Sequence, residues 1–416
     1  MKKTTLIKTP IFVLLALLSF DVFAQTSNEG MLYISDGTQF STVERLNNKI
    51  SGQFYNDGEA FIYSHFNNDG TVDFYQNTGM SRFIGSAEQN ISGKSISYLY
   101  DAYFNNSSNS IPFKLSGSVI INGTSDFEEG IIDNDNFGGT ITFNIEGNHT
   151  NTSDYSHVDG PVNKLGDNEF TFPIGDGGFY RFGGISGPTN ATSSFEGKFY
   201  FENSGDLYPH NLRAGAIQEI DNQEYWTIEE KTAGNEDVLI TLSWRDVTTP
   251  QAMINAAQQG ALTIVRWDEA SNMWVDEGGA IDLDNQTVTT AVEEYGIFTL
   301  GRLKSDVVLP GGLVVYTAVT PNGDGKNDFF FIDNQNPNIK NIHVEIFNRW
   351  GVKVFETNNY GDGGDVFDGY STGRLTIKDS EQLPSGTYYY VLDYLYNESG
   401  KNERHNKAGF LYLSGN

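Results

Sequence analysis

The chain has 416 residues, enough for several domains of ordinary size. Its 54 acidic and 26 basic residues give a formal net charge of −28, which excludes nucleic acid as an expected partner because phosphate binding requires basic patches. There is no cysteine, so disulfides and cysteine-based catalysis are excluded and the fold must be stabilised by packing.

The first 24 residues have the pattern of a secretory signal peptide. Lys2, Lys3 and Lys8 precede a short apolar run from Ile11 to Phe20, and Val22-Phe23-Ala24 has the spacing of a cleavage site. The apolar run is too short to cross a bilayer as a helix, and no later stretch approaches that length. We therefore expect a mature protein with no transmembrane segment of its own.

The rest of the sequence predicts an all-β, multidomain protein. Tyr, Phe, Thr, Ile and Val favour strands, while 45 Gly with many Asn and Asp favour turns between them. Residues 249–260 are the one stretch whose pattern favours a helix.

Residues 25–155 form a first β-rich domain of short strands and Asn/Gly/Asp turns. Residues 52–58 and 66–74 each place Asp-Gly between alternating apolar residues, as hairpins do. A weak echo of Ile50-Ser51-Gly52 in Leu115-Ser116-Gly117 points instead to a repeat. The sequence thus leaves a β-solenoid and a β-sandwich open.

Residues 156–303 read as a second β domain. The run contains VDGPV at 158–162, FTFPIGD at 170–176 and FTLG at 298–301. It resembles a β module of large Bacteroidetes surface proteins, which implies an extracellular β-sandwich. Four tryptophans on its predicted strands fit either a core or a platform for stacking sugars, and core is the commoner role; they are Trp226, Trp244, Trp267 and Trp274.

A linker at 304–312 leads to the C-terminal domain, residues 313–416. Three segments carry its signature: TPNGDGKND at 320–328, IFNRWGVKVFE at 346–356 and LPSGTYYYVL at 383–392. In this order and spacing they resemble the gliding-motility-associated C-terminal domain of secreted Bacteroidetes proteins, the type B sorting domain of the type IX secretion system. Phe367-Asp368-Gly369 departs from the Trp-x-Gly usual in that family.

The resemblance implies a small Ig-like β-sandwich that directs the protein to the type IX secretion translocon. It also implies a cell-surface location associated with the outer membrane, and work with an outer-membrane barrel of the PorP/SprF type. The residues expected to carry sorting and partner binding lie in the three motifs, where they would also serve the fold of the domain: Asn322, Gly323, Asp324, Gly325, Arg349, Trp350, Gly351 and Gly386.

Few residues point to chemistry. The six histidines lack zinc-site spacing, and His149 and His157, in a polar segment, are predicted to be surface residues. Asn322, Asp324 and Asp328 offer oxygen ligands for calcium on a tight turn, although side-chain capping of that turn explains them equally simply. No other cofactor is expected.

We therefore predict a non-enzymatic, secreted cell-surface protein, an adhesin or structural component linked to gliding motility. The alternative is a carbohydrate-binding protein or polysaccharide-acting enzyme that uses the same export route and binds surface glycans.

Overall fold

The structure is a computed structural model. It describes residues 25–214, 217–232, 236–258, 261–292, 294–303, 309–316, 318–319, 321, 328–348, 351–371, 382–384, 386–398 and 400–413. The predicted signal peptide lies outside these residues.

The body begins with short strands. They are, in chain order, β1 Gln25–Asn28, β2 Met31–Ile34, β3 Gln39–Thr42, β4 Arg45–Asn48, β5 Gln53–Asn56, β6 Glu59–Ile62, β7 Phe66–Asn68, β8 Thr71–Asp73, β9 Met80–Gly85, β10 Gln89–Ser92, β11 Ile96–Leu99, β12 Asp101–Asn106, β13 Phe113–Leu115, β14 Ser118–Ile121, β15 Thr124–Glu129, β16 Ile132–Asp133, β17 Thr140–Phe143, β18 Asn148–Thr150, β19 Val158–Asp159, β20 Val162–Leu165, β21 Phe170–Thr171 and β22 Ile174–Asp176.

All of these strands except β21 form a β-solenoid, which decides between the two predicted alternatives. Each strand pairs in parallel with the strand three places later in the chain. The result is three parallel sheets, here called ladders, that run along the solenoid. The first ladder is β1-β4-β7-β10-β13-β16-β19-β22, the second β2-β5-β8-β11-β14-β17-β20, and the third β3-β6-β9-β12-β15-β18. The parallel pairing of β16 with β19 crosses the predicted boundary at 155/156.

The interior of the solenoid is filled by side chains that stack from coil to coil. Phe83 and Phe104 on the third ladder stack with ring centroids 5.3 Å apart. Asparagine side chains at the ends of successive strands of the first ladder are hydrogen-bonded to one another. Asn28 donates to Asn48, and Asn48 donates to Asn68, each at 2.9 Å. Each coil thus satisfies the polar groups of the next.

The predicted hairpins at 52–58 and 66–74 are wrong. β5 pairs with β2 and β8, and β6 pairs with β3 and β9, all in parallel. The Asn-Asp-Gly at 56–58 is a corner where the chain passes from the second ladder to the third. Asn and Gly suit such a corner as well as they suit a hairpin turn.

Glycines recur at the corner between the first and second ladders. They are Gly30, Gly52, Gly70, Gly93, Gly117, Gly139 and Gly160. Parallel strands lie about 4.8 Å apart, so successive corners are nearly in contact. A Cβ on Gly70 would lie 2.2 Å from the Lys49 carbonyl oxygen and 2.3 Å from that of Gly52. Glycine is required at position 70 because there is no room for a side chain, and not because the backbone has a positive φ.

We predict that Gly70→Ala destabilises the solenoid by about 3 kcal/mol, because the new methyl group meets backbone that cannot move away. The matched control is Gly30→Ala at the same corner of the first coil, where nothing lies within 4 Å of the new Cβ. It is expected to be neutral or stabilising by up to about 1 kcal/mol. Urea denaturation measures both, and equal effects of the two substitutions would contradict the corner argument.

The chain then builds a two-sheet region from further strands and one helix. They are β23 Phe179–Tyr180, β24 Gly183–Ile185, β25 Ser194–Tyr200, β26 Ile217–Ile220, β27 Tyr225–Glu230, β28 Leu239–Ser243, α1 Gln251–Gln258, β29 Leu262–Asp268, β30 Met273–Gly278, β31 Ala280–Asp282, β32 Thr287–Ala291 and β33 Gly296–Leu303. The helix α1 lies in the stretch predicted to be helical.

The second ladder continues into this region as one sheet. β25 pairs antiparallel with β20, and β27, β33, β29 and β30 follow in order. β21, β24, β28, β32 and β31 form the other sheet. One hydrophobic core extends from Ile34 in the solenoid to Leu300 in β33. The solenoid and the two-sheet region are therefore a single body.

The predicted tryptophan platform is not on the surface. Trp226 and Trp274 are fully buried, and Trp244 and Trp267 nearly so. Of the two roles considered for them, the structure supports the core.

The C-terminal domain has its own core. Its strands are β34 Val314–Val315, β35 Ala318–Val319, β36 Ile332–Asp333, β37 Ile339–Phe347, β38 Lys353–Thr357, β39 Gly386–Glu398 and β40 Lys401–Leu413. A five-stranded sheet has the order β35-β40-β39-β37-β38, and β34 pairs with β36. Phe330, Phe367 and Tyr390 lie in the centre of a core separate from that of the body. The all-β prediction is confirmed.

Among the residues that the structure describes, no helix is long and apolar enough to cross a membrane.

Candidate functional site

The predicted sorting residues fall partly within the described structure. Gly351 and Gly386 are described, as is Asp328 of the predicted calcium site. The others lie outside the described residues: Asn322, Gly323, Asp324, Gly325, Arg349 and Trp350. Their predicted roles stay predictions.

Gly351 ends the turn between β37 and β38. Its N–H donates to the Asn348 carbonyl oxygen at 3.0 Å, and its φ of +76° is a conformation that favours glycine. A Cβ at this position would lie 2.2 Å from Oγ of Ser186, which belongs to the body. Gly351 therefore lies against the body of the same chain.

The long hairpin of β39 and β40 contacts the body as well. A Cβ on Gly278, in β30, would lie 2.9 Å from Cβ of Ala408 in β40. The side chain of Tyr389 hydrogen-bonds to Thr289 of β32. These contacts and the Gly351 turn place the five-stranded sheet directly on the two-sheet region.

Charge also acts across this interface. Burial raises the pKa of Asp276, a residue of β30, while hydrogen bonds from Thr263 and Gly278 and the positive charge of Lys407 lower it in part. Lys407 precedes Ala408 on β40. The body thus presents a buried carboxylate to a cation of the C-terminal domain.

A groove of about 440 Å³ opens along the same interface. Ser186, Leu239 and Thr289 line it from the body, and Tyr389 lines it from the C-terminal domain. Its lining is mainly polar, and it marks the rim where the two parts of the chain meet.

We predict that Ala408→Arg separates the C-terminal domain from the body while both cores stay folded. Ala408 is nearly buried against Gly278, and a guanidinium has no room there. Small-angle scattering of the intact protein should show a larger radius of gyration, and proteolysis should cut between 303 and 313 sooner.

Asn402→Arg is the control, because Asn402 is exposed on the same strand. It should leave the scattering curve and the cleavage rate unchanged. If Ala408→Arg behaved like Asn402→Arg, the contact would not hold the two parts together.

Gly386 and Asp328 have clear places in the domain. Gly386 is the first residue of β39 and pairs with Leu413 of β40. Asp328 is half-buried and lies two residues before the fully buried Phe330. Both residues lie within the folded domain; the sorting role predicted for Gly386 and the calcium-binding role predicted for Asp328 stay predictions.

Calcium binding by Asn322, Asp324 and Asp328 also stays a prediction, because the first two lie outside the described residues. Within the described residues, His343, Glu345 and Glu356 bring ligand atoms within 4.8 Å of one another. Lys353 forms ion pairs with both of these glutamates. The lysine already compensates their charge.

Several acidic side chains converge on and beside the first ladder. Asp133 pairs with Asp159 in register, and Asp135 forms an ion pair with Lys198 at 2.6 Å. Burial, together with the negative charges of Asp176, Asp133 and Asp135, raises the pKa of Asp159 to about 7 against the opposing effect of Lys198. Asp159 therefore titrates near neutral pH.

This shift makes stability depend on pH in a defined direction. Between its ordinary pKa of 3.8 and about 7, Asp159 holds a proton in the folded chain that the unfolded chain has lost. The resulting stabilisation is complete below pH 3.8 and is lost as the pH rises to about 7. In Asp159→Asn, the fall in urea midpoint from about pH 5 to about pH 8 should be smaller than in the wild type. Equal falls would contradict the assignment.

Arg181 and Glu224 form an ion pair that sequence reasoning missed. Both are almost completely buried, and Arg181 also donates to Thr248 and Thr249. The guanidinium lies 5.2 Å from the ring centroid of Trp226. No local pattern signals the pair, since its members are distant in the sequence. Breaking a buried pair is costly, so its role here is structural.

The prediction that His149 and His157 are surface residues is wrong for His157. Its side chain is fully buried, and Nδ1 lies 3.0 Å from the Ser153 carbonyl oxygen. His149 is half-buried, and its Nε2 lies 2.6 Å from the Thr171 carbonyl oxygen. Desolvation lowers the pKa of both imidazoles. The prediction failed because it rested on the polar residues around His157 in the sequence, whereas the folded solenoid buries the His157 side chain.

The C-terminal domain has a core separate from that of the β-solenoid body, and it packs against that body. Residues 313–413 match the CHU_C type IX secretion signal domain family. The suspected relationship is thereby confirmed for the C-terminal domain. The protein is exported by the type IX secretion system, interacts with that machinery, and is secreted and attached to the cell surface. No curated protein and no solved structure matches the chain.

Proposed function

We propose that this is a non-enzymatic surface protein that acts as an adhesin or structural component linked to gliding motility. Its C-terminal domain is held at the outer membrane by a PorP/SprF-like barrel. The body extends from that domain and presents the faces of its ladders to the surroundings. The link to gliding and to the barrel comes from the resemblance of the three C-terminal motifs.

The observation that carries this proposal is that the C-terminal domain has a core of its own, separate from those of the body. The main core of the body runs through the solenoid and the two-sheet region, and another core belongs to the C-terminal domain alone. A solenoid offers long, regular faces suited to extended partners. This arrangement supports a sorting and attachment role for residues 313–413 and a binding role for the body.

The second candidate is a carbohydrate-binding protein that uses the same export route. The buried tryptophans do not favour it. An exposed group of tyrosines on and beside the second ladder does, since Tyr33 and Tyr75 are both exposed to solvent. A binding role for these tyrosines is compatible with adhesion, because an adhesin can attach through a glycan.

We predict that outer-membrane partners are recovered by the intact protein and not by a version that ends at Leu309. Removing residues 310–416 deletes the core of the C-terminal domain and leaves those of the body complete. A pull-down from solubilised outer membranes, read by mass spectrometry, should find a PorP/SprF-like barrel or the translocon only with the intact chain. Recovery of the same partners by both versions would place attachment in the body.

Cells that lack the protein test the adhesive role. They should attach less to a surface, and re-expression of the intact chain should restore attachment. The Ala408→Arg variant keeps the C-terminal domain for sorting. It therefore serves as the control that shows whether attachment also requires the contact between that domain and the body.

A further inference from the structure

Four outward-facing tyrosines, here called the tyrosine row, lie on and beside the second ladder: Tyr33, Tyr55 and Tyr98 are on β2, β5 and β11, and Tyr75 is in the corner after β8. Tyr33 on β2 pairs in register with Tyr55 on β5. The rings of Tyr55 and Tyr75 stack with centroids 4.3 Å apart and an interplanar angle of 15°. Tyr33 meets Tyr75 edge-on at 5.6 Å. The row therefore crosses several coils of the solenoid.

The tyrosine row is exposed to solvent. Tyr75 is 59% exposed, Tyr33 43% and Tyr98 39%. Their neighbours along the strands, such as Phe54 and Leu99, are buried in the core. Exposed aromatic groups of this size mark an interaction surface more often than single scattered apolar residues do.

A buried carboxylate holds the row in place. Asp57 is completely buried, and its Oδ2 accepts a hydrogen bond from the Tyr33 hydroxyl at 2.9 Å. Its Oδ1 accepts from the backbone N–H groups of Tyr75 and Gln76, at 2.8 Å and 2.7 Å. Because burying a carboxylate is costly, these bonds fix both tyrosines in one arrangement before any ligand arrives.

We propose that the tyrosine row binds a neutral polysaccharide that lies across the coils. This inference rests on the proposed function, and it names the site and the ligand class of the body. A sugar ring has an apolar face that packs on an aromatic ring and hydroxyl groups at its edge. Tyrosine suits such a ligand because it combines an apolar ring with a polar hydroxyl group.

Polar groups lie where the hydroxyl groups of a sugar would need partners. Gln53 and Thr71 point outward on neighbouring strands, and Asp73 pairs in register with Tyr55. This mixture of aromatic and polar side chains distinguishes the row from a contiguous apolar patch, which would favour a protein partner.

Charge decides between neutral and anionic polymers. Asp36 lies close enough to Tyr33 to influence its hydroxyl, and Asp57 and Asp73 lie beside the row. The whole chain has a net charge of −28. An anionic polysaccharide would be repelled from this face.

The repeat of the solenoid fits a linear polymer. Successive strands of the second ladder lie about 4.8 Å apart, and the row extends across four of them, β2, β5, β8 and β11, with Asp73 at the β8 position. Tyr98 pairs in register with Ile120, which extends the face by another coil. Several weak contacts along one chain add to a useful affinity.

Affinity electrophoresis of the intact protein tests the proposal. Native gels contain one of four neutral polysaccharides, hydroxyethylcellulose, xyloglucan, laminarin or galactomannan, and alginate provides an anionic comparison. At least one neutral polymer should retard the wild type. Tyr33→Ala with Tyr75→Ala, or Tyr98→Ala, should weaken that binding about tenfold.

Two controls separate binding from folding. Tyr155→Ala removes a tyrosine that is 78% exposed on the turn between β18 and β19, away from the row, and should bind as the wild type does. Tyr75→Phe keeps the ring and should also retain binding. Melting curves of all variants show which of them are folded.

Retardation by alginate alone, no retardation by any neutral polymer, or equal binding of the wild type and the folded alanine variants would each overturn the proposal. Attachment of cells provides the separate readout. If re-expressed Tyr98→Ala restores attachment as fully as the wild type, the adhesive role stands and only the assignment of the tyrosine row fails.

Discussion

The structure depends on the pairing of β20 with β25. A stack of parallel coils ends in strands with unpaired polar groups, which invite pairing with other chains. Here Val162–Leu165 of the second ladder accept β25 as an antiparallel neighbour, and the sheet continues into the two-sheet region. The same pairing joins the two hydrophobic interiors into one core. It therefore also fixes where the docked C-terminal domain stands relative to the tyrosine row.

Several parts of this architecture could be predicted from the sequence. Residues 313–413 were recognisable because their motifs are specific and local, and composition indicated an all-β fold. The solenoid could not be separated from a sandwich because its pairings join residues about 20 or more positions apart, and the coil length changes along the chain. The Asp-Gly turns misled because corners and hairpins need the same residues. The spacing of Tyr33 and Tyr55, which pair in register, was a usable signal of the repeat.

Other features exist only in the folded chain. The contact of Gly351 with Ser186 and the burial of Asp57 beside Tyr33 arise from tertiary packing, so no local pattern announces them. They matter for function in opposite ways. The contact with Ser186 turns Gly351 toward the body, which leaves other surfaces of the C-terminal domain for the secretion machinery. The burial of Asp57 beside Tyr33 holds an exposed aromatic surface rigid, which lowers the entropic cost of binding.

The central claim is that the solenoid and the two-sheet region are one body joined through β20 and β25. Hydrogen–deuterium exchange of the intact protein tests it most directly. If the two regions are one body, amides of β20, β25 and β27 should be protected as strongly as those of β14 and β17 in the middle of the solenoid, and all should lose protection together as urea is added. Early exchange of β25 and β27 while β14 and β17 stay protected would show that the solenoid and the two-sheet region are two independent units.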